Sequence, residues 1–290
     1  IRESIKNTTI TFLTTFLGLG LTTAWGQGCP VNTTVTLTNN SQVGAIGNNS
    51  VICLTAGTRN NLLYLNGWNN LTLWIAAGAN FNANVALGNG RINNYGTMRI
   101  PTLTVQYGLS VVIFDGLSVT IENNVTLNGG AQLSIVNSTN LTPKPSLNIL
   151  QGITIENGAL DIGPNTIVNV TNDLAKSWQA TINISGEYNG RSIVATTGGA
   201  GSQLNLLNNS ELNLTGNLIV NGYPLNVSGN SQVTVDGEFS ITNYAASRAV
   251  FGDNSKLLVK AIPPSGNSTI VSHLIFNGNS TATFDGNVFI

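Results

Sequence analysis

Residues 202–243 read SQLNLLNNSELNLTGNLIVNGYPLNVSGNSQVTVDGEFSITN. Apolar and polar residues alternate in short runs: Leu204-Asn205-Leu206, Leu212-Asn213-Leu214, Leu218-Ile219-Val220, Leu225-Asn226-Val227, Val233-Thr234-Val235 and Phe239-Ser240-Ile241. Each run is stopped by Asn, Gly, Ser or Asp. Period-two alternation puts one set of side chains on one face of a strand, and no run carries apolar residues at helical spacing over three turns. The runs also recur as a phrase. The segment starting at Ser210 (SELNLTGNLIV) returns 21 residues later at Ser231 (SQVTVDGEFSI). It returns again at Ser255 (SKLLV) and at Ser280 (STATFDGNVFI). A repeat of this length, built from short strands and tight turns, marks a coil that stacks on itself. The expected fold is an all-β, right-handed parallel β-helix with about 20–25 residues per rung.

Composition agrees. The 290 residues are 41% hydrophobic and only 8% charged, with a formal net charge of −1. The usual charged share is about a quarter, so Asn, Thr, Ser and Gly must keep the surface wet. No basic face is available for nucleic acid, and the apolar content is too high for a disordered chain. The 32 glycines suit a fold with many turns.

Residues 1–26 read as an export signal: Arg2 and Lys6 are the positive start, Ile10 to Leu21 the apolar segment, and Ala24 and Gly26 the small residues before a cut. The apolar segment is shorter than the roughly 20 residues of a membrane span, so no integral membrane segment is expected in the mature chain. Residues 27–66 read as an N-terminal cap, with strands near Val35, Val51 and Leu62, because the end of a stacked array must cover its open core. Cys29 and Cys53 fall in this segment. In an exported chain they read as one disulfide, with two unpaired thiols as the alternative. Residues 67–290 read as the β-helix. The last phrase stops at Ile290 without its closing turn, so the natural chain is expected to continue.

Stacking explains why such a sequence would coil. No rung has enough inward side chains to be stable alone, and neighbours about 4.8 Å away complete the core. Asn can adopt the left-handed conformation at turns, and stacked Asn side chains can form amide ladders. Longer insertions, at residues 140–145 and 172–201, are expected to emerge as surface loops.

Candidate chemistry is sparse. Asp115, Asp236 and Asp285 each precede Gly at the same place in the phrase and read as Asp-Gly turns rather than catalytic acids. Trp178 and Tyr188 are the candidates for stacking on sugars, although such rings more often fill a core. No metal cluster, cofactor motif, P-loop, dinucleotide fingerprint or H-E-x-x-H is present, and His273 stands without a nucleophile partner. Glycan cleavage would need two carboxyls facing each other across a sugar; Asp236 and Glu238, two residues apart, would share a strand face if extended, with a Ca²⁺ or catalytic role as the lesser reading.

The signal-like start, the Asn93-Asn94-Tyr95-Gly96-Thr97 phrase and the rungs at Gly201–Asn209 and Gly229–Val235 resemble secreted β-helical surface proteins and adhesins of the Bacteroidota. These are often exported by the type IX route and carry a C-terminal sorting domain, which is not visible here. The resemblance implies a secreted or cell-surface rod without catalysis, acting in adhesion or as a structural element and presenting its surface to a glycan or host surface. Two alternatives stand beside it: a carbohydrate-active β-helix enzyme (lyase or hydrolase), and a filament subunit that self-associates end to end.

Overall fold

The computed structural model describes residues 28–289 except 40, 66–67, 88, 106–110, 178, 196–200, 243–246, 261–266 and 271–272. Every described regular element is a strand. Apart from one antiparallel hairpin (Val35–Thr38 with Ser41–Val43), the strands pair in parallel with the strand one coil away. The result is a β-solenoid.

Each coil contributes one strand to each of three faces. The first sheet has 13 strands, including the hairpin; the second has 11; the third has 7, flanked by two-stranded pairs at either end. The coil with Gln203–Leu206, Glu211–Leu214 and Leu218–Asn221 serves as the pattern. Its first strand stacks on Thr181–Ile184 below and Pro224–Val227 above, in register: Ile184, Leu206 and Val227 form one inward file. All three are buried. The 11-stranded sheet corresponds to eleven described coils.

The burial pattern of most strands alternates buried and half-buried, as period two requires. The inward files of Leu, Ile and Val form a continuous core from Val35 to Ile270. Each such side chain contributes about 1.5–3 kcal/mol when withdrawn from water, and stacking is what withdraws it.

The turns show why Asn is so frequent. Between the first and second sheets, Asn208, Gly229, Asp253 and Gly278 all have positive φ, at 57°, 70°, 58° and 66°. Few residue types other than Gly, Asn and Asp tolerate that conformation. The residue after each, Asn209, Asn230, Asn254 and Asn279, forms an amide ladder with steps of 2.7, 2.9 and 3.2 Å.

Cys29 and Cys53 form a disulfide, with Cα atoms 5.8 Å apart. It ties the chain ahead of the hairpin to the Val51–Ala56 strand. Three-stranded coiling already starts at that strand, ahead of Trp68. The second strand of this coil is only Thr58–Arg59, too short to show alternation in the sequence. Residues 1–26, which read as an export signal in the sequence, lie outside the described residues. Among the described residues no helix is long and apolar enough to cross a membrane.

Candidate functional site

The outer faces hold two further amide ladders. On the second sheet Asn148, Asn169, Asn189 and Asn213 stand one above another, and each Nδ2 donates to the Oδ1 one coil earlier, at 2.8, 2.9 and 3.0 Å. On the first sheet Asn183, Asn205 and Asn226 do the same. Each link spends one amide hydrogen and one oxygen lone pair. A carboxamide has one further hydrogen and one further lone pair; Asn189 gives its second hydrogen to Glu187 Oε1, and Asn148 Nδ2 donates to Ser146 Oγ.

Beside the second-sheet ladder runs a groove of about 590 Å³. It spans five coils, marked by Thr120, Asn148, Asn169, Asn189 and Thr215. Its floor is the ladder. Beside it stands the half-exposed Leu150, with the buried Ile149 and Val170 beneath the surface. Arg191 is the charged residue lining it. Arg191 Nε and Nη2 donate to the two carboxylate oxygens of Asp173 at 2.8 and 2.6 Å. That fork holds the Asp173 carboxyl below its ordinary pKa and raises the Arg191 guanidinium above its own.

The other ion pairs have the same layout. Arg91 pairs with Asp115 at 3.2 Å, Arg99 with Glu122 at 2.7 Å, and Lys260 with Asp236 at 2.8 Å. Like Arg191–Asp173, each joins neighbouring coils. One acidic contact was not legible in the sequence: Glu187 and Glu211 are cross-strand neighbours on the second sheet, about 4.8 Å apart along the backbone. Glu187 Oε1 accepts from Asn189 Nδ2 at 2.8 Å, so this acidic file borders the ladder. Among the described residues no group of three or more His, Cys, Asp and Glu could hold a metal ion.

The sequence-derived candidates fall in different places. Asp236 and Asp285 lie in bends after the strands Gln232–Val235 and Thr281–Phe284. Asp115 does not: it and Gly116 are still in the strand Val111–Gly116, paired with Asn93 and Asn94. A Cβ on Gly116 would sit 2.3 Å from Asn94 O, and its φ is 95°. The insertion after Ile135 folds back over Asp115, and Ser138 bonds its carboxylate through both its amide and its hydroxyl. Asp115 is therefore a buried anchor for that insertion, with 4% of its surface exposed.

Tyr188 cannot stack on a sugar. It points inward from Glu187–Gly190 and is completely buried, between Val168 below and Leu212 above. Gly190, the next inward position, makes room for it, since a Cβ there would lie 2.7 Å from the Tyr188 ring. Trp178, the other stacking candidate, lies outside the described residues. An aromatic pair with partly exposed rings does exist elsewhere: Trp74 and Tyr95 have ring centroids 4.8 Å apart on the first sheet.

The sequence reading missed one buried cation. Lys176 points inward from Leu174–Ser177. In register above it is the small Ala195, which leaves a passage. The side chain runs along the axis, donates Nζ to Ala180 O at 3.0 Å, and sits 3.8 Å from the centre of the Tyr223 ring. Burial lowers its pKa to about 7. Tyr223 donates its hydroxyl to Ile219 O at 2.9 Å.

The fold places the chain among parallel β-solenoid proteins. No family model, curated protein or solved structure matches it.

Proposed function

We propose that this chain is a non-catalytic rod, secreted or held at a cell surface, that works by adhesion or as a structural element. The observation that carries this reading is the use of charge. Among the described residues all four ion pairs bridge adjacent coils, so acids and bases stitch the stack instead of converging on a reacting bond. The outer faces are built from amide ladders, which suit an extended polar presentation surface. The Asn/Thr/Gly bias and signal-like start that resemble Bacteroidota surface adhesins support the same reading. The test is to incubate the protein with a range of polysaccharides and measure both adhesion to the immobilised polymers and release of new chain ends. Adhesion without product is the expected result. Product release that depends on a named acid pair would overturn it.

One contact favours the carbohydrate-active alternative. Glu187 and Glu211 are register partners on adjacent coils, so their side chains leave one face about 4.8 Å apart at the backbone, and a pair of carboxyls on one face is what glycan cleavage uses. If cleavage is detected, Glu187→Gln and Glu211→Gln are the variants that must each abolish it for this reading to hold.

A further inference from the structure

We propose that the groove on the second sheet binds a neutral polysaccharide chain lying parallel to the solenoid axis. This rests on the reading of the protein as a surface rod and names what that rod holds.

The groove has the two surfaces a sugar chain needs. Its floor offers carboxamides at a regular spacing of one per coil: Asn148 and Asn169 each have an amide hydrogen and a lone pair beyond these bonds, and Asn189, whose second hydrogen goes to Glu187, has a lone pair. Hydroxyls are donors and acceptors at once, so they match such a floor from either side. Its wall offers Leu150 to the apolar C–H face of a sugar ring. Leu150 is 44% exposed, a large apolar surface set directly against polar amides. The groove extends over five coils, about 19 Å at the strand spacing. That length calls for several consecutive sugars.

Charge selects a neutral chain. Arg191 is neutralised by the two-pronged bond to Asp173. Arg99, beside Thr120 at one end, is likewise paired, with Glu122, while Glu187, bonded to the ladder through Asn189, and its neighbour Glu211 border the groove as carboxylates. A uronate polymer would meet no unpaired cation on the groove lining and two carboxylates at its border. The amides are also fixed in advance, because each is held by its ladder neighbours, so little side-chain freedom is lost on binding.

The test is titration of the full chain with neutral oligosaccharides of β-linked glucose, xylose and mannose, and with oligogalacturonate of matched length. At least one neutral series should bind, with affinity rising with length until the groove is filled. Thr171→Trp and Thr215→Trp put bulk at exposed positions of the groove without touching a ladder amide, and each should weaken binding roughly tenfold or more. Asn169→Ala should also weaken it. Asn205→Ala, which interrupts the first-sheet ladder instead, should leave binding unchanged and controls for general destabilisation. The inference is overturned if oligogalacturonate alone binds, if no probe binds, or if the Trp variants bind like wild type. Chain cleavage in the same mixtures would overturn the non-catalytic reading, whereas absence of binding without cleavage overturns the groove assignment alone.

Discussion

Asn183 donates its amide to the carboxylate of Asp161 at 2.6 Å, and this bond ends the first-sheet ladder on an acid. Asp161 stands where the direction of donation reverses. From above, Asn226, Asn205 and Asn183 hand their hydrogens down in sequence. From below, Gln132 and Ser134 also donate to Asp161. A residue with donors on both sides must be acceptor-only, and an ionised carboxylate is the side chain that meets this condition.

Asp161→Asn should therefore destabilise the protein although it preserves shape and keeps a ladder residue. The new NH₂ group must face a donor on one side or the other, and charge-assisted bonds are replaced by neutral ones. A loss of about 1–3 kcal/mol is expected in denaturant unfolding. Asn205→Asp in mid-ladder should be comparably costly, because the acid cannot donate to Asn183. If both changes are neutral, the ladders do not contribute to stability.

Tyr188 and Gly190 are a matched pair, one ring and one missing side chain. Gly190→Ala should cost about 1–3 kcal/mol through overpacking. Tyr188→Leu in the same chain should recover much of it, since the ring atom 2.7 Å from the new Cβ is gone. A double-mutant cycle measures the coupling directly; additive losses would mean the two do not touch. Tyr188→Phe alone should be neutral or stabilising, because its buried hydroxyl has no hydrogen-bond partner.

The same pair shows how far the sequence carries. Alternation and the recurring phrase specify strands, parallel stacking and turns, because a coil repeats its physics at every rung. The phrase cannot reveal exceptions to itself. Glu187-Tyr-Asn-Gly190 does not read as an inward–outward pattern when Gly holds an inward place, so the sequence leaves Tyr188 open between a sugar-stacking ring and a core ring. Lys176 holds an inward place in the same way, admitted by Ala195 one coil away. Asp115-Gly116 looks like Asp236-Gly237 in sequence, yet an insertion more than twenty residues later folds over the first and not the second. The groove was also hidden, because it requires the register that aligns Asn148, Asn169 and Asn189. That register follows from coil lengths, which vary.

The Cys29–Cys53 bond closes a separation of 24 residues at the start of the stack. Loop-closure entropy puts its contribution on the order of 3 kcal/mol. Reduction, or replacement of both cysteines by Ser, should lower the unfolding free energy by up to that amount. The loss should first appear as hydrogen exchange in the Val35–Ala56 region and leave the coils around Leu204 protected, since stacked repeats can open from an end. Uniform loss of protection would show that the array unfolds as a single unit.

Lys176 should give stability a pH dependence of defined sign. Its folded pKa is about 7, against an ordinary value of 10.5. Between these values the unfolded chain carries the proton and the folded chain does not, so unfolding takes up a proton and stability falls as pH is lowered. Below about pH 7 both states are protonated and the loss is complete. Above about 10.5 both are neutral and the loss vanishes. Tyr223, which faces the amine, and the buried Tyr188 work the opposite way at alkaline pH: burial raises both pKa values, so unfolding releases their protons more readily there. The contribution of Lys176 is isolated by comparison with Lys176→Met, which keeps an unbranched chain in the same passage. The variant should be more stable near neutral pH by on the order of 1–3 kcal/mol, and its advantage should shrink steadily as pH rises from about 7 towards 10.5. Chemical unfolding of both proteins across that range checks it; a constant offset would mean that Lys176 stays charged in the folded core, held over the Tyr223 ring.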